Sequence, residues 1–403
     1  MRLSEKYSFV RQADYESVAG ADWPTFDQFQ LHENVEQFVY DEIDQMLKSD
    51  EVFNNPAFCV MPFYGWQTDT KTSCCLLPTN HNIEKIRTDM LNTRRPEECW
   101  KCWKNEDAGI KSDRQIKNET LGVLADMTIQ SLLDDCNQGR YGISMLKIST
   151  NSTCNATCVT CNSGASSSWG TLERKNNVRP LKSWKIDLQN FPYKLDHSRL
   201  RAAAFHGGEP FLSSTNFKLL EQILDHGNDD CFVSFVTNGS FNLTKQQKYI
   251  LSKFKKVNFC FSIDGIGSVF EYMRHPLSWT KTLDNIKWSQ DNNIDVSVSY
   301  TLSNTNLWYH AQTVAWFQEQ GINFLTGLVD YPSYFQPSAL PENIKDIIIA
   351  RNPDVANLLT DHAGQDDRNY QQFLAEIQKQ DLWKGISIKD YLPEFSEHLP
   401  LDQ

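Results

Sequence analysis

The sequence lacks any long apolar run, and no segment approaches the roughly 18 consecutive apolar residues that can cross a bilayer. Its first residues, MRLSEKYSFVRQADYE, also lack the apolar stretch of a secretory signal. We therefore expect a cytoplasmic protein without a membrane partner.

Basic residues are in deficit, with 39 Lys and Arg against 51 Asp and Glu and a net charge of -12. Because nucleic-acid affinity depends largely on Lys and Arg contacts to phosphate, this charge disfavours a nucleic-acid partner.

Cysteines, in contrast, are abundant and unevenly distributed. Of the eleven, five lie between Cys59 and Cys102 and three between Cys154 and Cys161. An odd number cannot pair completely, and disulfides are rare in the reducing cytosol. Tight cysteine clusters in such a protein indicate metal or redox sites.

The chain divides by pattern into three predicted regions. Residues 1–135 are irregular and rich in Cys, Trp and turn residues, which is typical of a small module stabilised by a metal. Residues 136–330 alternate short apolar runs with amphipathic segments, a pattern that predicts successive βαβ units and a parallel sheet. Residues 331–403 predict a helical C-terminal extension punctuated by proline.

Six strands and four helices are predicted in the central region. The strands are Ser144–Ser149, Ala202–Phe205, Phe232–Thr237, Val257–Ile263, Asp295–Leu302 and Asn323–Val329. The helices are Phe217–Asp225, Lys245–Phe254, Thr280–Gln290 and Leu307–Gln320, the last ending at Gly321 as a C-cap. Six units are too few for a closed eight-unit barrel. The predicted fold is therefore α/β, a partial (β/α)6 TIM-type barrel preceded by a small Cys-rich module.

The segment STNSTCNATCVTCNSG follows the first of these strands and carries Cys154, Cys158 and Cys161. Three thiolates on one loop can ligate three irons of a 4Fe-4S cubane and leave the fourth iron open to a cofactor or substrate. The alternative is a zinc knuckle or three structural thiols. Structural zinc takes four ligands, and no fourth Cys or His lies close by in sequence.

This Cys-x3-Cys-x2-Cys spacing resembles the signature of radical S-adenosylmethionine (SAM) enzymes. The resemblance implies that the open iron chelates the amino and carboxylate groups of SAM, and that one electron from the cluster cleaves SAM to a 5′-deoxyadenosyl radical that abstracts a substrate hydrogen. It also implies an electron donor such as flavodoxin or ferredoxin. Thr160 departs from the family, because many members have an aromatic residue there.

A second motif, AFHGGEPFL, follows the second predicted strand and contains Gly207, Gly208, Glu209 and Pro210. Paired glycines permit close backbone approach to a ligand, and a carboxylate there can accept hydrogen bonds from an ammonium group. A Gly-Gly turn before a helix is also common. In radical SAM enzymes the corresponding element binds the amino group of SAM, so the resemblance implies that role here.

Polar residues end the next two predicted strands, with Thr237 and Asn238 in VTNGS and Ser262 and Asp264 in FSIDGIG. Strand carboxyl ends form the functional face of β/α barrels, although Asn-Gly and Asp-Gly are also ordinary turn sequences. The family resemblance implies that they line the ribose and methionine side of SAM. By the same resemblance Arg274 lies near the SAM carboxylate or the substrate, the alternative being a solvated surface arginine. No residue is predicted as a catalytic acid or base.

The N-terminal cysteines resemble a SPASM/twitch-type auxiliary-cluster module. The predicted metal ligands are Cys59, Cys74, Cys75, Cys99 and Cys102. Four of them, including one of the adjacent pair, would close a second iron-sulfur cluster, with structural zinc as the alternative. Such modules usually follow the barrel in this family, whereas this one precedes it.

These resemblances predict an enzyme that abstracts a hydrogen from a peptide or protein substrate. Two alternatives remain at this point. One is a radical SAM enzyme that modifies a nucleotide or a sugar, since the barrel alone does not specify the substrate. The other is a non-catalytic iron-sulfur protein that binds a partner or transfers electrons.

Overall fold

The computed structural model describes residues 55–74, 76–78, 80–107, 112–183, 185, 195–329, 331–356, 359 and 367–401. Residues 1–54 of the predicted N-terminal module lie outside the described residues, and so does the predicted ligand Cys75.

Seven parallel strands form one open sheet in which each strand pairs with the next along the chain. They are β1 (Gly65–Gln67), β2 (Met145–Ser149), β3 (Ala202–His206), β4 (Phe232–Thr237), β5 (Val257–Ser262), β6 (Asp295–Leu302) and β7 (Asn323–Leu328). All six predicted strands are confirmed within one residue at each end, and so is the unclosed α/β barrel. The sheet has seven strands rather than six because β1 joins it from the N-terminal region.

Helices separate the strands and flank the sheet. They are α1 (Met61–Tyr64), α2 (Ile83–Leu91), α3 (Trp100–Asp107), α4 (Asp113–Ala125), α5 (Ile129–Asn137), α6 (Ser167–Lys175), α7 (Ser214–Asp225), α8 (Lys245–Leu251), α9 (Ser268–Met273), α10 (Trp279–Asp291), α11 (His310–Glu319), α12 (Glu342–Arg351), α13 (Asp367–Lys384), α14 (Ile388–Tyr391) and α15 (Pro393–Ser396). The predicted helix at 307–320 is confirmed as α11, preceded by a 3-10 turn at Leu307–Tyr309. It ends as predicted, since Gly321 adopts the left-handed conformation with φ of 61°.

The two faces of the sheet differ in chemistry because side chains alternate along each strand. One face packs apolar residues such as Ile148, Phe205 and Phe259 into the main core against the helices. The concave face carries buried polar residues instead, among them Lys147, Ser149, His206, Ser234, Asn258, Ser297 and Ser299. The sheet is therefore stabilised from its helical side, and its concave side is polar.

The N-terminal region has a second apolar cluster of its own. Phe58, Met61, Ile86, Leu121 and Leu132 belong to it and join α1, α2, α4 and α5. A module stabilised mainly by metal was expected here, but an apolar core contributes as well. No helix among the described residues is long and apolar enough to span a membrane.

Candidate functional site

The cysteine loop leaves the carboxyl end of β2 and is held by the start of α6. The Ser167 hydroxyl accepts the Cys154 N–H at 3.1 Å and donates to the Cys154 carbonyl at 3.0 Å. The Trp169 indole N–H donates to the Cys158 carbonyl at 3.0 Å. These bonds satisfy the backbone of the loop, and the thiols are not needed for it. None of the ten described cysteines forms a disulfide.

The opposite side of the loop is held by residues far away in sequence. The Thr157 N–H donates to the His275 carbonyl at 2.6 Å, and the Val159 N–H donates to the Met273 carbonyl at 2.8 Å. The buried Gln380 side chain, on α13, donates to the Val159 carbonyl at 3.0 Å. The C-terminal helix therefore forms part of the frame around the cysteines.

The two glycines of the GGEP motif pack directly against this loop. A Cβ at Gly208 would overlap the Thr153 carbonyl, and one at Gly207 would lie 2.8 Å from the Asn151 carbonyl. Gly207 also has a φ of 117°, which favours glycine. The Glu209 N–H donates to the Thr153 carbonyl at 2.7 Å. The glycines are thus required by close backbone packing.

Glu209 is almost fully buried, and three hydrogen bonds hold its carboxylate. The donors are the Thr237 hydroxyl at 2.9 Å, the Asn238 N–H at 2.8 Å and the Phe211 N–H at 3.3 Å. Burial raises the pKa of Glu209 to about 7, while these hydrogen bonds act to lower it. Thr237 and Asn238 therefore orient Glu209, and the Asn238 amide nitrogen lies 3.9 Å from the Cys154 sulfur. Pro210 begins the buried 3-10 turn that follows.

Asp264 and Arg274 form a buried ion pair at 2.8 Å. Burial acts to lower the pKa of Arg274, but attraction to Asp264 and Cys158 outweighs burial, so the pKa is raised. Asp264 also accepts the Thr301 N–H at 3.0 Å, which fixes the carboxylate. Arg274 is therefore not a solvated surface residue, and its positive charge lies near the cysteine loop. Ser262, the last residue of β5, is buried on the concave side.

Lys384 is a further cation at the site that no sequence pattern indicated. Its ammonium donates to the Gln380 side chain at 2.7 Å and lies 4.9 Å from the centre of the Trp169 ring. Burial lowers the pKa of Lys384 to about 8, and the thiols of Cys158 and Cys161 act in the opposite direction. Two cations, Arg274 and Lys384, thus balance negative charge at this loop.

Four of the predicted N-terminal ligands line a single cavity of about 40 Å³. They are Cys59, Cys74, Cys99 and Cys102. Arg114, Lys117 and Lys147 line it as well. Burial raises the pKa of Cys59 to about 11 and that of Cys99 to about 12, so both thiols must lose a proton before they bind a metal.

Neither cysteine group converges on the position of a single ion. Among the described residues, no three His, Cys, Asp or Glu side chains lie close enough together to hold one metal ion. A cubane cluster separates its thiolates more widely than a mononuclear ion does, because each thiolate binds a different iron. Thiolates are ligands for iron-sulfur clusters and for zinc alike, so the donor types fit either group in both places.

No protein-family model matches the chain, and no curated protein is similar to it in sequence. Several solved structures are similar to part of the chain, among them the following three. Native anSMEcpe with bound AdoMet is 16% identical, with a TM-score of 0.35 over 60% of this chain and 62% of that one. Streptococcus suis SuiB bound to S-adenosylmethionine is 13% identical, with a TM-score of 0.36 over 61% and 60%. Methylornithine synthase (PylB) is 11% identical, with a TM-score of 0.32 over 67% and 89%. The chain thus spans less than two thirds of the first two proteins, and likeness at this level does not assign a family.

Proposed function

We propose that this chain is a radical SAM enzyme that binds a 4Fe-4S cluster through Cys154, Cys158 and Cys161 and SAM beside it. The carrying observation is that the GGEP segment and the cysteine loop pack backbone to backbone, with the Glu209 N–H bonded to the carbonyl of Thr153, the residue before Cys154. The buried Glu209 carboxylate accepts the Asn238 N–H, and the Asn238 side-chain amide lies 3.9 Å from the Cys154 sulfur. When bound, the cluster would supply the electron that cleaves SAM to a 5′-deoxyadenosyl radical. The chain itself orients SAM and excludes water.

Glu209 is suited to hold the ammonium group of SAM. An ionised carboxylate has about four lone-pair sites, and three are already occupied by Thr237, Asn238 and Phe211. One acceptor site therefore remains for a ligand donor. A cationic donor would also favour the ionised form of a carboxyl group whose pKa burial has raised to about 7.

Arg274 is suited to hold the SAM carboxylate. Its terminal nitrogen is paired with Asp264, while its Nε has no hydrogen-bond partner although it is buried. A buried guanidinium with an unsatisfied donor can accept an anionic group at little desolvation cost. Asp264 then acts as the residue that positions Arg274 and does not itself need to contact the ligand.

We further propose a second iron-sulfur cluster at the cavity lined by Cys59, Cys74, Cys99 and Cys102. Four cysteines line this one cavity, and four thiolates can ligate all four irons of a cluster, with structural zinc as the alternative. Arg114 and Lys117, which line the same cavity, would neutralise part of the negative charge of four thiolates. A fully ligated cluster would transfer electrons that a donor such as flavodoxin or ferredoxin delivers.

The proposed substrate is a peptide or protein. The net charge of -12 opposes an extended polyanion, which supports this class over RNA or DNA. The concave face carries buried polar side chains, so it can offer hydrogen-bond partners to a peptide. Incubation of the reconstituted protein with peptide, nucleic-acid and small-molecule fractions of a lysate tests this class. Stimulation of 5′-deoxyadenosine formation only by nucleic acid, lost after nuclease treatment, would exclude a peptide.

SAM cleavage tests the main proposal. Anaerobically prepared protein reduced with dithionite should convert SAM to 5′-deoxyadenosine and methionine. Joint replacement of Cys154, Cys158 and Cys161 by alanine should abolish this reaction. The matched control is joint alanine replacement of two buried cysteines outside both sites, Cys136 and Cys231, and it should retain activity. Persistence of 5′-deoxyadenosine in the first variant would refute the assignment.

Elemental analysis tests the second metal site. In the Cys154, Cys158 and Cys161 variant the remaining metal should be iron with sulfide, since only the N-terminal cavity can then hold it. Adding Cys99→Ala and Cys102→Ala should remove that iron. Stoichiometric zinc in its place would show that the N-terminal site is structural.

A further inference from the structure

Three buried polar residues on the concave face of β1, β2 and β3 have side-chain atoms without a hydrogen-bond partner. Thirteen such side-chain atoms occur among the described residues, and four of them belong to Gln67, Lys147 and His206. The atoms are Gln67 Oε1, Lys147 Nζ and both ring nitrogens of His206. These side chains are at most 4% exposed, so bulk water does not reach them. An unsatisfied buried polar group costs about 1–3 kcal/mol, and more when charged, so these atoms are candidates for contact with a ligand.

The strand register places these three residues on one face of the sheet. Gln67 pairs in register with Lys147, and Lys147 pairs with Ala204. His206 lies two positions after Ala204 on the same strand, so its side chain points to the same side. Ala204, the register partner of Lys147, has only a methyl side chain. Burial lowers the pKa of His206 and the positive charge of Lys147 lowers it further, so the two side chains are near each other.

The charge at this position favours an anion. The Lys147 ammonium is 1% exposed, and the carboxylate paired with it, that of Asp69, lies 3.6 Å away, beyond hydrogen-bond distance. Lys117, also buried, lines the same cavity as Gln67 and Lys147. A buried ammonium without a hydrogen-bonded counter-ion is unfavourable until an anion joins it. The neutral imidazole of His206 can add one N–H donor.

We propose that Gln67, Lys147 and His206 form a binding position for a carboxylate that is flanked by an N–H donor, as at the C-terminus or an acidic side chain of a peptide. The carboxylate binds the Lys147 ammonium and a His206 N–H, and the neighbouring N–H reaches Gln67 Oε1. His206 directly precedes Gly207, so this position lies at the strand end next to the proposed SAM site. The proposal rests on the proposed peptide substrate, and Gln67 and Lys147 also line the four-cysteine cavity.

Ligand-dependent thermal unfolding of the full anaerobic holoprotein tests this site. The probes are acetate, its neutral analogue acetamide, and inorganic phosphate. Acetate should raise the unfolding midpoint with concentration, whereas acetamide should not. Lys147→Met should weaken acetate binding about tenfold or more, as expected for loss of a charge-assisted hydrogen bond. Lys345→Met is the matched control, because Lys345 is equally buried but hydrogen-bonded to Glu342 at 2.8 Å.

Two further arms keep the proposal open to refutation. His206→Leu provides a second variant in case Lys147→Met alters folding. Acetate should bind to His206→Leu more weakly than to wild type. N-acetylglycine presents a C-terminal carboxylate, and N-acetylglutamate α-amide presents a side-chain carboxylate. The compound that binds more tightly shows which kind of peptide carboxylate the site takes. Equal acetate binding in wild type and Lys147→Met, or preferential binding of phosphate, would overturn the proposal. The proposal would also be overturned if acetate had no effect on wild type and Lys147→Met lost iron. Lys147 would then serve only as a counter-charge to the N-terminal cluster.

Discussion

Replacement of Glu209 by glutamine is expected to change how stability depends on pH. The carboxyl group is 1% exposed, and burial raises its pKa from 4.5 to about 7. Between these two values the folded protein binds a proton that the unfolded chain has released. The contribution of Glu209 to stability is therefore fully present below pH 4.5 and is lost as the pH rises to about 7.

The magnitude follows from the size of the shift. One pKa unit corresponds to 1.36 kcal/mol, so the rise in the pKa of Glu209 from 4.5 to about 7 amounts to on the order of 3 kcal/mol. Glutamine does not titrate, and Glu209→Gln should remove this slope between pH 5 and pH 8. The absolute stability of the variant is less informative, because its amide NH₂ must face the Asn238 N–H donor, at a penalty of about 1–3 kcal/mol.

SAM affinity should depend on pH in the opposite direction. An ammonium group binds the ionised carboxylate, so affinity should rise as the pH increases through about 7 in wild type and stay flat in Glu209→Gln. Urea unfolding and SAM titration at several pH values measure the two trends. The control is Glu319→Gln, since Glu319 is an exposed carboxyl group at the end of α11. Parallel pH profiles for wild type and Glu209→Gln in both assays would refute the reasoning.

Three further substitutions test the frame of the site by urea unfolding. Arg274→Met should destabilise the protein by about 3–5 kcal/mol because it leaves Asp264 buried without its counter-ion, and a loss below about 1 kcal/mol would contradict the buried pair. Gly208→Ala should lower the free energy of unfolding by more than about 2 kcal/mol, since the alanine Cβ would overlap the Thr153 carbonyl. The control is Gly170→Ala on α6, where the added Cβ makes only ordinary contacts, and it should stabilise the protein by about 0.5–1 kcal/mol. Lys147→Met should raise stability by about 1 kcal/mol or more in the absence of a carboxylate ligand, and equal or lower stability would show that its charge is already compensated.

The six predicted strands were predictable because they are short apolar runs that alternate with amphipathic helical segments. The strand β1 was not, since three residues, Gly65–Gln67, are too short to show a period. Its place in the sheet comes from pairing with β2, which lies almost 80 positions later in the sequence. Strand type is a local property, whereas the identity of the edge strand depends on tertiary contacts.

The candidate site was predictable only as far as motifs follow strands. The order of the strands implied that the cysteine loop and the GGEP segment would be neighbours. The contact between Gln380 and Val159 spans 221 positions, and nothing in the local pattern of the C-terminal region indicated it. Likewise, the burial of Arg274 depends on its pairing with Asp264, which no spacing rule predicts.

The strand β2 connects the two proposed metal sites, and its register with β1 fixes their relation. Its carboxyl end leads into the loop of Cys154, while Lys147 in its middle lines the four-cysteine cavity. Because Gln67 pairs with Lys147, β1 brings the N-terminal region to the same strand. A slip of one residue in β2 would turn Lys147 into the apolar core and Ile148 towards the cavity. Burying an ammonium among phenylalanine side chains is strongly unfavourable, so this register is selected, and with it the placement of the N-terminal cysteines beside the barrel.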